Sequence, residues 1–129
     1  MNTKENHLAI QVYYEDTDHS GVVYHANYLK YFERAREHVI GTKELSRLWH
    51  EDGTGFAVYK IEIGYFDGAV FGDTLEIKST WEKDGDYKII WHHEAWRPEG
   101  TKAAVTARLE LVCLNRDKKL MPIPDYDFL

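Results

Sequence analysis

Three carboxylates, Glu15, Asp16 and Asp18, fall within four positions of the stretch Tyr-Tyr-Glu-Asp-Thr-Asp-His-Ser-Gly-Val-Val-Tyr-His-Ala-Asn-Tyr, residues 13–28. In an extended chain Asp16 and Asp18 project to the same side, and their mutual repulsion would raise the apparent pKa of one of them. A long helix is predicted from Asn27. The free backbone N–H groups at its start, with its dipole, form a donor site for developing negative charge. A carboxylate beside such a site is what hydrolysis of an acyl derivative needs. The plainer alternative is a polar loop with solvated acids and an Asp or Asn helix cap.

Other chemistry finds less support. His92 and His93 are adjacent on a predicted strand, so their rings point to opposite faces and cannot hold one metal together. His7, His19, His38 and His50 show no metal-ligand spacing, and no metal is expected. Cys113 is the single cysteine and lies in an apolar run, as a buried structural thiol does. No Gly-x-Ser-x-Gly elbow is present, which argues against an α/β-hydrolase route.

The elements around the acidic stretch follow from hydrophobic periodicity. Leu8, Ile10 and Val12 alternate in a first strand over 8–14. Tyr28, Phe32, Ala35 and Val39 then lie on one helical face, widened by Leu29, Tyr31 and Ile40, and Gly41 is a plausible stop. A short second helix is expected over 44–50. Strands are predicted over 56–66, 74–81, 87–96 and 103–114. Ala57, Tyr59, Ile61, Ile63 and Tyr65 share one face of the first of these, and Asp84-Gly85 gives the clearest hairpin signal. The order is strand, long helix, then strands joined mainly by short turns, which is an antiparallel α+β arrangement with a curved sheet wrapped on one helix. Such a sheet leaves its other face thinly covered. Ile90, Trp96, Val112 and Leu114 on that face are candidates for burial against another subunit, so a homo-oligomer is expected, a two-fold dimer at minimum.

A length of 129 residues suits one domain, 1–129. Hydrophobic residues at 43% and aromatics at 14% exclude intrinsic disorder. A net charge of −6 argues against nucleic acid as a general partner. The polar segment Met1–His7 lacks the apolar core of a signal peptide. No apolar stretch approaches the ~18–20 residues of a membrane span, and a cytoplasmic location is expected. Residues 97–119 run against the overall balance, with six Lys or Arg against three acids, among them Arg116 and Lys118.

The run Asp-Thr-Asp-His-Ser-Gly-Val-Val-Tyr-His-Ala-Asn-Tyr, followed by Tyr31-Phe32-Glu33-Arg34-Ala35-Arg36, closely resembles the signature of hotdog-fold acyl-CoA thioesterases. The nearest subfamilies are the Tol–Pal-associated and 4-hydroxybenzoyl-CoA thioesterases, and Gly72-Asp73-Thr74-Leu75-Glu76-Ile77 resembles the start of their strand after the helix. The resemblance covers roughly the whole chain. It implies a hotdog fold, one long central helix wrapped by a curved antiparallel sheet, and hydrolysis of an acyl-CoA thioester to a carboxylic acid and free CoA. No cofactor is implied, because coenzyme A is part of the substrate. Carried over by position, it assigns Asp18 as the catalytic carboxylate, attacking the thioester directly or activating a water. The backbone N–H aligned with His25 would bind the thioester oxygen, and the His25 ring would orient water or protonate the leaving thiolate. Tyr14 and Tyr24 would wall the acyl pocket, with Asn27 a helix cap or a site organiser. Arg116 and Lys118 are expected to help hold the phosphate-bearing nucleotide end of CoA. A tetramer is common in this fold family. The alternative is a hotdog protein that binds acyl-CoA or acyl-carrier protein without hydrolysing it. Hydration or dehydration of an acyl thioester on related folds uses a differently placed histidine–acid pair.

Overall fold

The computed structural model describes residues 4–129, so Met1–Thr3 of the polar N-terminal segment lie outside the described residues. Strand β1 (Lys4–Gln11) leads through a single 3-10 turn (Tyr14–Asp16) and a tight loop into α1 (Asn27–Ile40), then α2 (Thr42–His50). Strands β2 (Gly55–Tyr65), β3 (Thr74–Asp84), β4 (Lys88–Trp96), β5 (Val105–Leu114) and the short β6 (Leu120–Met121) follow. All pair antiparallel in the order β1-β3-β4-β5-β2, with β6 on the end of β5. The long helix and the curved antiparallel sheet expected from the periodicity are both present.

The boundaries are set by where backbone groups find partners. β1 stops three residues short of the predicted Tyr14, because the Tyr13 N–H turns to the Asp16 carboxylate instead of a neighbouring strand. α1 stops at Gly41, which adopts φ +96° and gives its N–H to the Glu37 carbonyl. β3 and β4 form the hairpin foreseen at Asp84-Gly85, where Gly85 sits at φ +68°.

Tyr28, Tyr31, Phe32 and Ala35 of α1 pack on Leu75, Ile77, Ala95 and Val105 of the sheet. The other half of the concave face is closed differently. Trp81, Trp91, Leu109, Leu111 and Cys113 form a second core beneath the C-terminal tail. The Trp81 indole N–H donates to the Phe128 carbonyl at 2.7 Å, and Tyr126 and Phe128 stack beside Phe56. Burial pushes the Cys113 thiol up to about 11, which suits an inert packing residue.

Three expectations about faces need correction. Register slips between Val58 and Lys60, leaving Tyr59 as an extra residue in β2. The bulge reverses the alternation, so Phe56 joins Ile61 on the core face while Ala57 pairs opposite the outward Val112. Leu29 does not widen the buried stripe but stands 41% exposed, and the charged Arg36 is buried instead. Ile90 and Val112 are already buried within the chain, leaving only Trp96 and Leu114 partly open on the outer face.

Arg36 is tolerated inside because its Nη2 pairs with the Glu33 carboxylate at 3.6 Å and its Nη1 donates to His93 Nε2 at 3.0 Å. Since Arg can only donate, His93 must carry its proton on Nδ1 and donate it to Ser79 Oγ at 2.7 Å. The ring lies flat on Phe32 at 4.9 Å, and burial, aided by the Arg36 charge, pushes its pKa down to about 3. His92 on the opposite face is exposed, as adjacency on a strand requires.

Candidate active site

Residues 16–24 fold into a tight hairpin at the start of α1. Thr17 bridges Val23, the Tyr24 N–H donates to the Asp16 carbonyl, and the Asp18 N–H donates to the Val22 carbonyl. Gly21 closes the tip at φ +90°, a conformation that L side chains rarely adopt. A third segment clamps the hairpin from outside. Val23 donates to the Ala69 carbonyl, Val22 bridges Val70, and Val12 and Gly72 exchange a further bond at the end of β1.

The two aspartates have separate jobs. Asp16 is buried, with Oδ2 accepting the Tyr13 N–H and Oδ1 accepting the Asn27 amide, both at 2.8 Å. Asp18 is at the surface of the hairpin, its Oδ1 accepting the Ser20 N–H at 2.8 Å and the Ser20 hydroxyl at 2.6 Å. These donors, the hydroxyl first, hold the Asp18 pKa below the ordinary carboxylate value. Asp18 thus does not carry the raised pKa that the spacing of the two acids suggested, and the 3-10 turn buries Asp16 on other partners. Asp18 is therefore ionised at neutral pH, as a base or nucleophile must be.

Asn27 bonds Asp16 and not the helix backbone. Its side chain makes no cap; it ties the first residue of α1 to Asp16 and so fixes the helix start against the acidic loop. Among the described residues, no acceptor is bonded to the backbone N–H of His25 or Ala26, the two residues before the helix. Free N–H groups at a helix start can accept a negative charge, and the helix dipole favours it. The His25–Ala26 peptide, which carries the second of them, is held by its carbonyl. The Tyr65 hydroxyl, at the end of β2, donates to the His25 carbonyl at 3.0 Å. The His25 ring is exposed, 4.5 Å from the Tyr24 ring and 6.3 Å edge-on to Tyr65.

Tyr14 and Tyr24 are both exposed at the loop surface, Tyr14 meeting Phe71 edge to face at 5.9 Å. A groove of about 190 Å³ opens beside α1 instead, lined by Leu29, Phe32, Arg36, Val58, Ile61 and Leu109. It begins two residues inside the helix start. A larger cavity, about 600 Å³, lies between α2 and the tail and is lined by Glu44, Arg47, Asp52, Asp125 and Asp127, a polar setting away from the hairpin. Arg116 and Lys118 flank Trp49 of α2, with Arg116 donating to the His50 carbonyl. They follow the Leu114 end of β5, whereas the hairpin packs near Ala104 and Val105 at its other end. One strand of ten residues, about 30 Å, separates them, so the structure does not bring them to Asp18. Among the described residues, no three His, Cys, Asp or Glu side chains gather as a metal site.

Asp16, Ser20 and Tyr65 are functional candidates that spacing alone did not isolate. Asp16 reads as a second reactive acid until its burial is seen. Tyr65 comes from a strand forty residues away from His25 and leaves no local signal.

A family model described as the thioesterase-like superfamily matches residues 12–126, which includes the hairpin, both helices and the whole of β2 to β6. The chain belongs to this superfamily. The acyl-CoA thioesterase YbgC of Helicobacter pylori is 48% identical over 72 residues, 56% of this chain and 53% of that protein. The chain thus spans about half the length of this relative. The Haemophilus influenzae protein of the same name is 32% identical over 111 residues, 84% of this chain and 82% of its own. In three dimensions a probable thioesterase from Bartonella henselae superposes with a TM-score of 0.82 at 28% identity, covering 93% of this chain and 99% of that one. The fold is the hotdog fold of these thioesterases, and no helix among the described residues is long and apolar enough to cross a membrane.

Proposed function

We propose that this superfamily member is an acyl-CoA thioesterase, hydrolysing a thioester to a carboxylic acid and free CoA. One observation carries the reading: an ionised Asp18 lies in the hairpin that leads directly into the His25 and Ala26 N–H groups, which have no acceptor among the described residues. The thioester oxygen would sit on the His25 N–H, where charge grows as the carbonyl carbon becomes tetrahedral. Asp18 either adds to that carbon, forming an acyl–aspartyl anhydride that water then hydrolyses to the acid, or takes a proton from the water that adds; in both routes the C–S bond breaks to release the CoA thiolate. The exposed His25 ring would orient that water or return a proton to sulfur. The acyl group would lie in the groove that starts at Leu29, which neither Tyr14 nor Tyr24 lines. None of these steps calls for a metal or a redox cofactor.

The exposed β2 edge, with Val58 and Tyr59 open, and the groove beside it support a homo-oligomer in which a second copy closes the acyl site. A part for Arg116 and Lys118 at the nucleotide end of CoA would require such a second copy to bring them near.

The test is release of free thiol from acyl-CoA, followed with a thiol reagent over short, long and aromatic acyl chains. Wild-type protein should turn over at least one class. Asp18→Asn and Asp18→Ala should abolish release while remaining folded. Full turnover in a folded Asp18→Ala variant overturns the catalytic assignment. Tight binding of acyl-CoA or acyl-carrier protein without thiol release overturns the enzymatic reading.

A further inference from the structure

The two oxygens of Asp18 face different surroundings. Oδ1 accepts both the N–H and the hydroxyl of Ser20, the Val22 N–H gives the carboxylate weaker backbone support, and among the described residues no side chain bonds Oδ2. The N–H bond alone would close the turn, since the Gly21 N–H already reaches the Asp18 carbonyl and the Asp18 N–H reaches Val22. The hydroxyl bond is additional, and at 2.6 Å it is the shorter of the two. We propose that Ser20 is a positioning residue for the reaction, its hydroxyl locking the Asp18 carboxylate so that Oδ2 alone is presented to the thioester or its water. The inference rests on the thioesterase reading of Asp18.

A carboxylate turns easily about its last torsion, because the two-fold preference there is broad. Left free on an exposed loop, Asp18 would exchange its oxygens and spread its lone pairs over many directions. Two donors converging on one oxygen remove that freedom at the cost of some basicity. Among the described residues no other side chain performs this service, and the Val22 N–H adds only a lesser backbone contribution. His19 acts on Asp18 only through space, and Asp16 is turned to Tyr13 and Asn27. The exposed position of Ser20 means that its hydroxyl can be removed without opening a core.

Ser20→Ala retains the backbone N–H and should keep the wild-type melting temperature. Its kcat should fall about tenfold with KM within twofold, since orientation at the reacting atom is lost and not binding. The acid limb of its pH–kcat profile should move to higher pH, because the carboxylate loses its strongest donor. Ser20→Thr should restore both rate and profile. Asp18→Asn runs alongside. Turnover surviving in Asp18→Asn would defeat the Asp18 reading and this inference with it. An inactive Asp18→Asn beside a Ser20→Ala variant of normal kcat and unmoved acid limb would overturn the role of Ser20 alone. A Ser20→Ala loss that Thr does not rescue also overturns it.

Discussion

Removing the Asp16 carboxylate should damage both stability and catalysis, although Asp16 is not assigned to the reacting atoms. It is 6% exposed, and its two oxygens take the Tyr13 N–H and the Asn27 amide at 2.8 Å each. Asp16→Ala strands both donors and empties a site beside the buried Tyr31 hydroxyl. Hydrogen bonds to a carboxylate contribute about 1.5–3 kcal/mol each, and relief of the buried acid's desolvation offsets part of the loss. The net cost is about 3 kcal/mol. For a chain of 129 residues that lowers Tm by about 10 °C. The same bonds register the start of α1 against the Asp18 hairpin, so kcat should fall tenfold or more even well below the melting point. Asp16→Asn keeps one acceptor and should show about half the stability loss. Calorimetry and the thiol-release assay measure the two effects. A double-mutant cycle with Asn27→Ala should be non-additive by about 1 kcal/mol, because the two side chains share one bond. An Asp16→Ala variant with unchanged Tm and kcat, or a strictly additive cycle, would refute the clamp.

Tyr65→Phe removes only the bond to the His25 carbonyl; it should lower kcat about fivefold, or ~1 kcal/mol, with KM little changed. Equal kcat would mean that the helix start needs no support from β2. Stability should also follow the protonation of His93. Its folded pKa of about 3 lies below the unfolded value of 6.5, so the unfolded chain binds a proton that the folded one refuses. Stability is therefore full above pH 6.5 and falls as pH drops, losing about 2 kcal/mol between pH 6.5 and 5. Urea unfolding should show this slope in wild type, and a matching slope in a folded His93→Gln variant would assign it elsewhere. Leu109→Ala, cutting into the core under the tail, should cost about 2–5 kcal/mol by chemical denaturation. Gly21→Ala has open space for its methyl but must hold φ +90°, so about 1 kcal/mol of strain should appear as a slower enzyme more than as a clash.

The amino-acid sequence by itself determined the elements and the family. The four-three-four spacing of Tyr28, Phe32, Ala35 and Val39 has one helical solution, and Asp84-Gly85 marks the hairpin between β3 and β4. The long motif from Asp16 to Tyr28 is local, so its acid, its glycine tip and its helix start can be read from neighbouring residues. Tertiary structure decided which of these groups are free to react. Asp16 and Asp18 are the same residue type two positions apart, and only the 3-10 turn buries one against Asn27 and exposes the other to Ser20. Arg36 reads as a surface charge on α1 until His93, 57 residues along the chain, offers it a neutral ring nitrogen. The bulge at Tyr59 and the packing of the tail on Trp81 depend on strand register and on space left by α1. Neither is encoded in any short window, because each is fixed by contacts between residues far apart in the chain.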